Sequence, residues 1–111
     1  MTIQPPAIRG LRDTQRDFDR YQRLAFGGRS PEFFALEMCG ECGELANLEK
    51  KIWRDPARQD CVAALPDEAA DIYISLMNYC NSRGIDLEDA VVRKLDRIEQ
   101  LRLEGRMGPT A

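Results

Sequence analysis

Five carboxylates in two short clusters are the residues of this chain best spaced for chemistry. On a helix turning about 100° per residue, Glu37, Glu41 and Glu44 fall within roughly 60° of one another, with Leu48 and Lys51 in the same sector. Further along, Glu68, Asp71, Ser75 and Asn78 make a second narrow polar stripe through the apolar surroundings of Ile72, Ile74 and Leu76. Glu41 and Glu44 are three apart, as are Glu68 and Asp71, so each pair projects two carboxylates in one direction from adjacent turns.

If the two stripes face each other, the carboxylates converge. Unpaired in a core, they would repel one another and resist ionisation. A divalent, oxygen-loving cation resolves that conflict. Mg²⁺ suits the site best because it accepts a few carboxylates and keeps positions for water or phosphate oxygens, with Mn²⁺ able to substitute. An isolated E-x-x-E is equally at home on a solvated helix face, so spacing alone leaves a metal site and a solvated face both open.

The chain has no histidine, which removes the commonest general base and any Ser-His-Asp or Cys-His arrangement. It has four cysteines, and Cys39 and Cys42 form a C-x-x-C that overlaps the first acidic cluster. A Cys₄ zinc module is therefore a rival reading, but Cys61 and Cys80 stand apart without the second C-x-x-C that would strengthen it. Cys39 and Cys42 also project roughly opposite to Glu41 and Glu44, alongside Gly43 and Ala46. That small, mildly apolar side reads as a helix-packing surface.

At 111 residues, with 43% hydrophobic and 32% charged residues, the sequence describes one ordinary globular domain spanning 1–111, with loose ends over 1–12 and 105–111. A net charge of −3 provides no general attraction for nucleic acid, and none is expected as a partner. No apolar run approaches a membrane span, and the first ten residues lack the apolar core of a signal peptide. A cytoplasmic location and reduced cysteines are the expectation.

The elements that must carry these clusters read as four helices. The first runs over about Asp13 to Phe26, stopped by Gly27-Gly28. Ser30-Pro31-Glu32 starts the second, which extends to about Trp53. Arg54 to Ala64 reads as a polar loop, and Pro66-Asp67-Glu68 as the start of a third helix lasting to about Asn81. Gly84 suits a left-handed C-terminal cap, and Asp86 caps a fourth helix with Leu87, Val91, Leu95, Ile98 and Leu101 along one side. The predicted fold class is all-α, a four-helix bundle. The second and third helices are apolar on more than one side, through Met38, Leu45, Leu48 and Ile52 on one and Ile72 to Tyr79 on the other. Four short helices struggle to cover both, so an obligate homodimer or larger assembly is expected.

The order E-C-G-E-L (41–45), K-K (50–51) and D-E-A-A-D-I (67–72) resembles the MazG-like all-α NTP pyrophosphatases, whose hallmark is E-x-x-E on one helix and E-x-x-D on the next. The likeness covers about Tyr21 to Leu95. It takes in Y-Q-R-L-A (21–25), R-G-I-D-L-E-D-A (83–90) and the lysine of V-R-K-L (92–95). It implies Mg²⁺-dependent hydrolysis of a nucleoside triphosphate, a deoxynucleotide by preference, to the monophosphate and pyrophosphate. Glu41, Glu44, Glu68 and Asp71 would be the metal ligands, Glu41 the favoured general base, and Glu37 a supporting carboxylate one turn earlier. Lys51 and Lys94 would meet the phosphates, with Arg54 a weaker candidate. Trp53 or Phe34 would stack on the base, and Asn78 would bond base or sugar. The chain departs from the family at D-R-I-E-Q-L-R-L-E-G (96–105), where an asparagine and a basic residue before Tyr-Pro are usual. A non-enzymatic helical dimer acting as a regulatory partner explains the apolar helices equally well, but gives the carboxylate stripes no purpose.

Overall fold

A computed structural model describes residues 10–106. Of the ends expected to be loose, 1–12 and 105–111, residues 1–9 and 107–111 lie outside the described residues, whereas Leu11 and Arg12 belong to the first helix. What is described is all-helical: α1 (Leu11–Ala25), α2 (Pro31–Arg54), α3 (Gln59–Arg83) and α4 (Leu87–Leu103). The caps that local chemistry demands are in place. Ser30 Oγ accepts from the Phe33 N–H at 3.2 Å with Pro31 in the first turn of α2. At the end of α3, Gly84 takes a φ of 68° and lets the Ile85 N–H reach back to the Cys80 carbonyl at 2.9 Å. Asp86 Oδ1 accepts from the Asp89 N–H at 3.1 Å to open α4.

The third helix corrects the sequence reading. It starts at Gln59, not at Pro66, so the polar loop shrinks to Asp55–Arg58 and Pro66 lies inside the helix. Asp55 accepts from the Ala57 N–H at 3.1 Å, and Arg58 forks onto Asp60 at 2.9 and 2.8 Å, holding Asp60 at the positive end of α3. Pro66 leaves the Val62 carbonyl without its N–H partner in the α3 ladder, and its ring crowds that same carbonyl.

This four-residue turn folds α2 and α3 into an antiparallel hairpin, the most closely packed pair in the molecule. The seam of α2 runs through Pro31, Phe34, Met38, Glu41, Leu45, Leu48 and Ile52, all buried or half-buried. On α3 it runs through Cys61, Leu65, Glu68, Asp71, Ser75 and Asn78. Glu41, Glu68 and Asp71 therefore lie on the packing seam itself, with Glu37 and Glu44 exposed at its edge. That overturns the expectation for Cys39 and Cys42, which are exposed on the far side of α2, whereas Cys61 and Cys80 are buried. Cys42 instead borders an outward-facing apolar groove of about 630 Å³ with Leu45, Ala46, Val62, Leu65 and Ala69.

α1 crosses the C-terminal end of α3, burying Thr14, Gln15 and Phe18. Gln15 fastens three elements at once: its Nε2 donates to Asn81 Oδ1 at 3.0 Å and to the Ile85 carbonyl at 2.7 Å, and its Oε1 accepts from the Leu87 N–H at 3.0 Å. Arg12 bridges Asp86 at 2.7 Å and Glu88 at 3.0 Å. Apart from the Gln15–Asn81 bond on α3, these bonds fall at the start of α4, which buries no residue of its own. Leu95 is 58% and Leu103 72% exposed, so the expected four-helix bundle is not closed within one chain. The radius of gyration is 17.1 Å, against about 13 Å for a compact domain of this length. Among the described residues, no helix is long and apolar enough to cross a membrane.

Candidate metal centre

The middle of the α2–α3 seam brings Glu41, Glu44 and Glu68 together, each offering a carboxylate oxygen within 4.8 Å of the others. Helix geometry accounts for this. Glu41 faces α3 directly, Glu44 is one turn on at the seam's edge, and the antiparallel run of α3 sets Glu68 opposite them. Asp71, one turn further along α3, shares a cavity with Glu41. Among the described residues, no other group of three or more Cys, Asp or Glu side chains converges in this way. The four cysteines do not meet, and the zinc reading falls with them.

The electrostatics are those of a site short of positive charge. Glu41 Oε2 and Glu68 Oε2 are buried and have no hydrogen-bond partner. Among the described residues, none of the four carboxylates makes an ion pair with lysine or arginine. Glu68 is pushed up to about 7, first because its close approach to Glu44 favours a shared proton, then by desolvation and the charges of Glu44, Glu41 and Asp71. Glu41 is also raised, chiefly by desolvation and then by Glu44 and Asp71. Orphaned, desolvated carboxylate oxygens at this spacing fit a small hard cation with an oxygen shell.

From Glu41 and Asp71 the cavity, about 370 Å³ in all, continues between the helices past Glu37, Ser75 and Asn78 to Phe34 and Gln22. Glu37, Phe34 and Asn78 thus line one cavity with Glu41 and Asp71, while Glu44 and Glu68 do not line it. Lys51, Trp53 and Arg54 are exposed at the C-terminal end of α2. Lys51 is seven residues, about 10 Å of helix rise, beyond Glu44. Lys94 is exposed on α4, whose fastening is to α1. The single chain therefore does not bring these four residues into the cavity. Phe26, Arg29 and Phe33 line it unanticipated by any motif, and Gln22 lines it from Y-Q-R-L-A (21–25), a stretch that gives it no role. Their only sequence signal was position: the Gly27-Gly28 turn returns the end of α1 beside the start of α2. Compared with protein-family models, with curated proteins and with solved structures, the chain matches none.

Proposed function

We propose that this protein is a Mg²⁺-dependent nucleoside triphosphate pyrophosphohydrolase, cleaving its substrate to the monophosphate and pyrophosphate, with deoxynucleotides the favoured class. One observation carries the reading: Glu41, Glu44 and Glu68 converge within 4.8 Å, and two of their oxygens are buried without a partner. Glu44, Glu68 and Asp71 would hold the metal, joined by an oxygen of Glu41. Mg²⁺, when bound, supplies charge neutralisation at the phosphates and a lowered pKa for water at the site. The second oxygen of Glu41 takes the proton of the water that attacks the α-phosphorus, as the bond from that phosphorus to the bridging oxygen of the leaving pyrophosphate breaks. Glu41 suits this base role because it stands on the interior line between α2 and α3 with one buried oxygen that no protein group partners.

The reading includes self-association. Exposed Leu95 and Leu103 on α4, Leu36 on α2 and the apolar groove beside Cys42 leave more uncovered apolar surface than a lone chain keeps. A second copy covering it would also be the source of the basic residues that one chain does not bring to the carboxylates. The same surface favours a second reading, a helical regulatory partner without catalysis, but that reading does not account for the orphaned carboxylates.

The test is a pyrophosphate-release screen of standard and modified NTPs and dNTPs, with and without Mg²⁺, on wild type and Glu41→Gln. Mg²⁺-dependent release by wild type, abolished in the variant while the fold is retained, is the expected result. No release from any substrate, or equal release by both proteins, overturns the proposal.

A further inference from the structure

We infer that the cavity beyond the carboxylates reads the sugar and base of a nucleotide, with Ser75 as the specificity-determining residue at the sugar. This rests on the pyrophosphohydrolase reading for the phosphate end of the site.

Ser75 and Asn78 are each only 8% exposed, and both line the cavity. A serine in mid-helix usually bonds a carbonyl of the preceding turn or faces water. Among the described residues, the Ser75 hydroxyl makes no hydrogen bond, and Ser75 lines a cavity large enough for a ligand. Asn78 is partly engaged: its Nδ2 donates to Gln22 Oε1 at 3.4 Å, while Gln22 Nε2 donates to the Gly27 carbonyl, also at 3.4 Å. Both bonds exceed the usual range for amide donors. The pair occupies one amide atom of Asn78 and leaves the other open, whichever way the amide is turned. Neither residue holds a fully buried unpartnered atom, so the open groups of both are reached from the cavity and are available to what enters it.

The order of these groups along the helices matches the order of groups in a nucleotide. From Asp71, Ser75 is one turn on and Asn78 two, about 6 and 10 Å of rise. On the facing helix, Glu37 and Phe34 lie one and two turns from Glu41. Carboxylates come first, then a hydroxyl and a carboxylate, then an open amide beside aromatic rings. A nucleotide presents phosphate, sugar and base in that sequence. At the far end the Arg29 guanidinium lies 5.2 Å from the centre of the Phe33 ring, and Phe33 is 41% exposed. Ring and guanidinium there offer a stacking surface and a donor for a base carbonyl.

Isothermal titration with Mg²⁺ present tests this on wild type, Ser75→Ala and Arg29→Ala, the last an exposed position where folding is not at stake. The probes are inorganic tripolyphosphate, α,β-imido dNTPs and NTPs that resist cleavage, and their 2′,3′-dideoxy counterparts. Wild type should bind the best nucleotide at least about tenfold more tightly than tripolyphosphate. Ser75→Ala should weaken nucleotide binding about three- to tenfold, leave tripolyphosphate unchanged, and make no difference with the dideoxy probe, whose sugar has no hydroxyl to read. Arg29→Ala should weaken nucleotides, dideoxy included, and spare tripolyphosphate. Wild type binding tripolyphosphate and nucleotides alike overturns the inference, as does a Ser75→Ala loss that is absent or shared by all probes. Wild type binding neither probe overturns the pyrophosphohydrolase reading itself.

Discussion

Protons and Mg²⁺ should compete for the α2–α3 seam near neutral pH. Glu68 has a pKa of about 7 in the metal-free protein and must be ionised to serve as a ligand. A ligand with that pKa makes the apparent dissociation constant for Mg²⁺ rise about tenfold between pH 8 and pH 6, and metal binding release about half a proton at pH 7. A glutamate at its ordinary 4.5 would leave the constant almost flat over the same range. Isothermal titration of Mg²⁺ at pH 6, 7 and 8, in two buffers of different ionisation enthalpy, reads both quantities. Glu68→Gln should bind Mg²⁺ more weakly and lose the dependence on pH. A wild-type constant that changes less than about twofold, or binding without proton release, would refute the account of the seam as crowded carboxylates awaiting a cation.

The same shift fixes the sign of the stability effect. With its folded pKa raised, Glu68 holds a proton in the native protein between about 4.5 and about 7, where the unfolded chain has lost it. More protons bound in the native state means that stability falls as pH rises through that window and levels off above it. Glu41 is shifted in the same direction and adds to the effect. Mg²⁺ should restore what is lost, most strongly above pH 7. Urea denaturation at pH 5 and pH 8, with and without Mg²⁺, gives the comparison.

Other perturbations reach different parts of the molecule. Glu41→Gln should lower the rate of Mg²⁺-dependent pyrophosphate release by about 10²- to 10⁴-fold without lowering the melting temperature, since it removes a repelled charge from the seam. Gln15→Ala strands Asn81, the Ile85 carbonyl and the Leu87 N–H together. Denaturant unfolding should show a loss of roughly 2–4 kcal/mol, the upper part of what one buried polar network costs to break. Ser30→Ala should cost about 1 kcal/mol by removing the cap of α2. Wild type should run as a dimer or larger species by light scattering, and Leu95→Glu with Leu103→Glu should shift it toward monomer; a clean wild-type monomer would remove self-association from the reading.

Legibility in the sequence followed how local the determining physics is. Ser30-Pro31, Gly84 and Asp86 announced element ends because caps are made within a few residues, and the structure places all of them as read. The start of α3 was hidden because Pro66-Asp67-Glu68 is a good helix start wherever it occurs. The true start depends on the Asp55 turn and the Arg58–Asp60 fork, which have no comparable signature. The directions of the carboxylates around α2 and α3 were legible from a period of 3.6. Which side of α2 packs on α3 was not, because the small, mildly apolar residues around Cys39 and Cys42 looked like the seam. Gln22, Arg29 and Phe33 join the cavity through the Gly27-Gly28 turn, a long-range consequence that no spacing rule contains.

That reversal of sides bears on what the seam is for. In an ordinary helical hairpin the central positions would hold leucine or isoleucine, and the pair would be stabilised by burying them. Here positions 41, 68, 71, 75 and 78 put three carboxylates, a hydroxyl and an amide in those places. Among the described residues, the buried apolar side chains reduce to Phe18, Phe34, Cys61, Met77 and Cys80. A chain that needed only to fold, or only to dock, would gain by filling these positions with apolar side chains, and nothing about a solvated helix face puts orphaned oxygens on the interior line. Glu41, with one buried oxygen unpartnered between two helices, is the residue for which stability and purpose most clearly conflict. Such a conflict marks a binding or catalytic position far more often than a structural one.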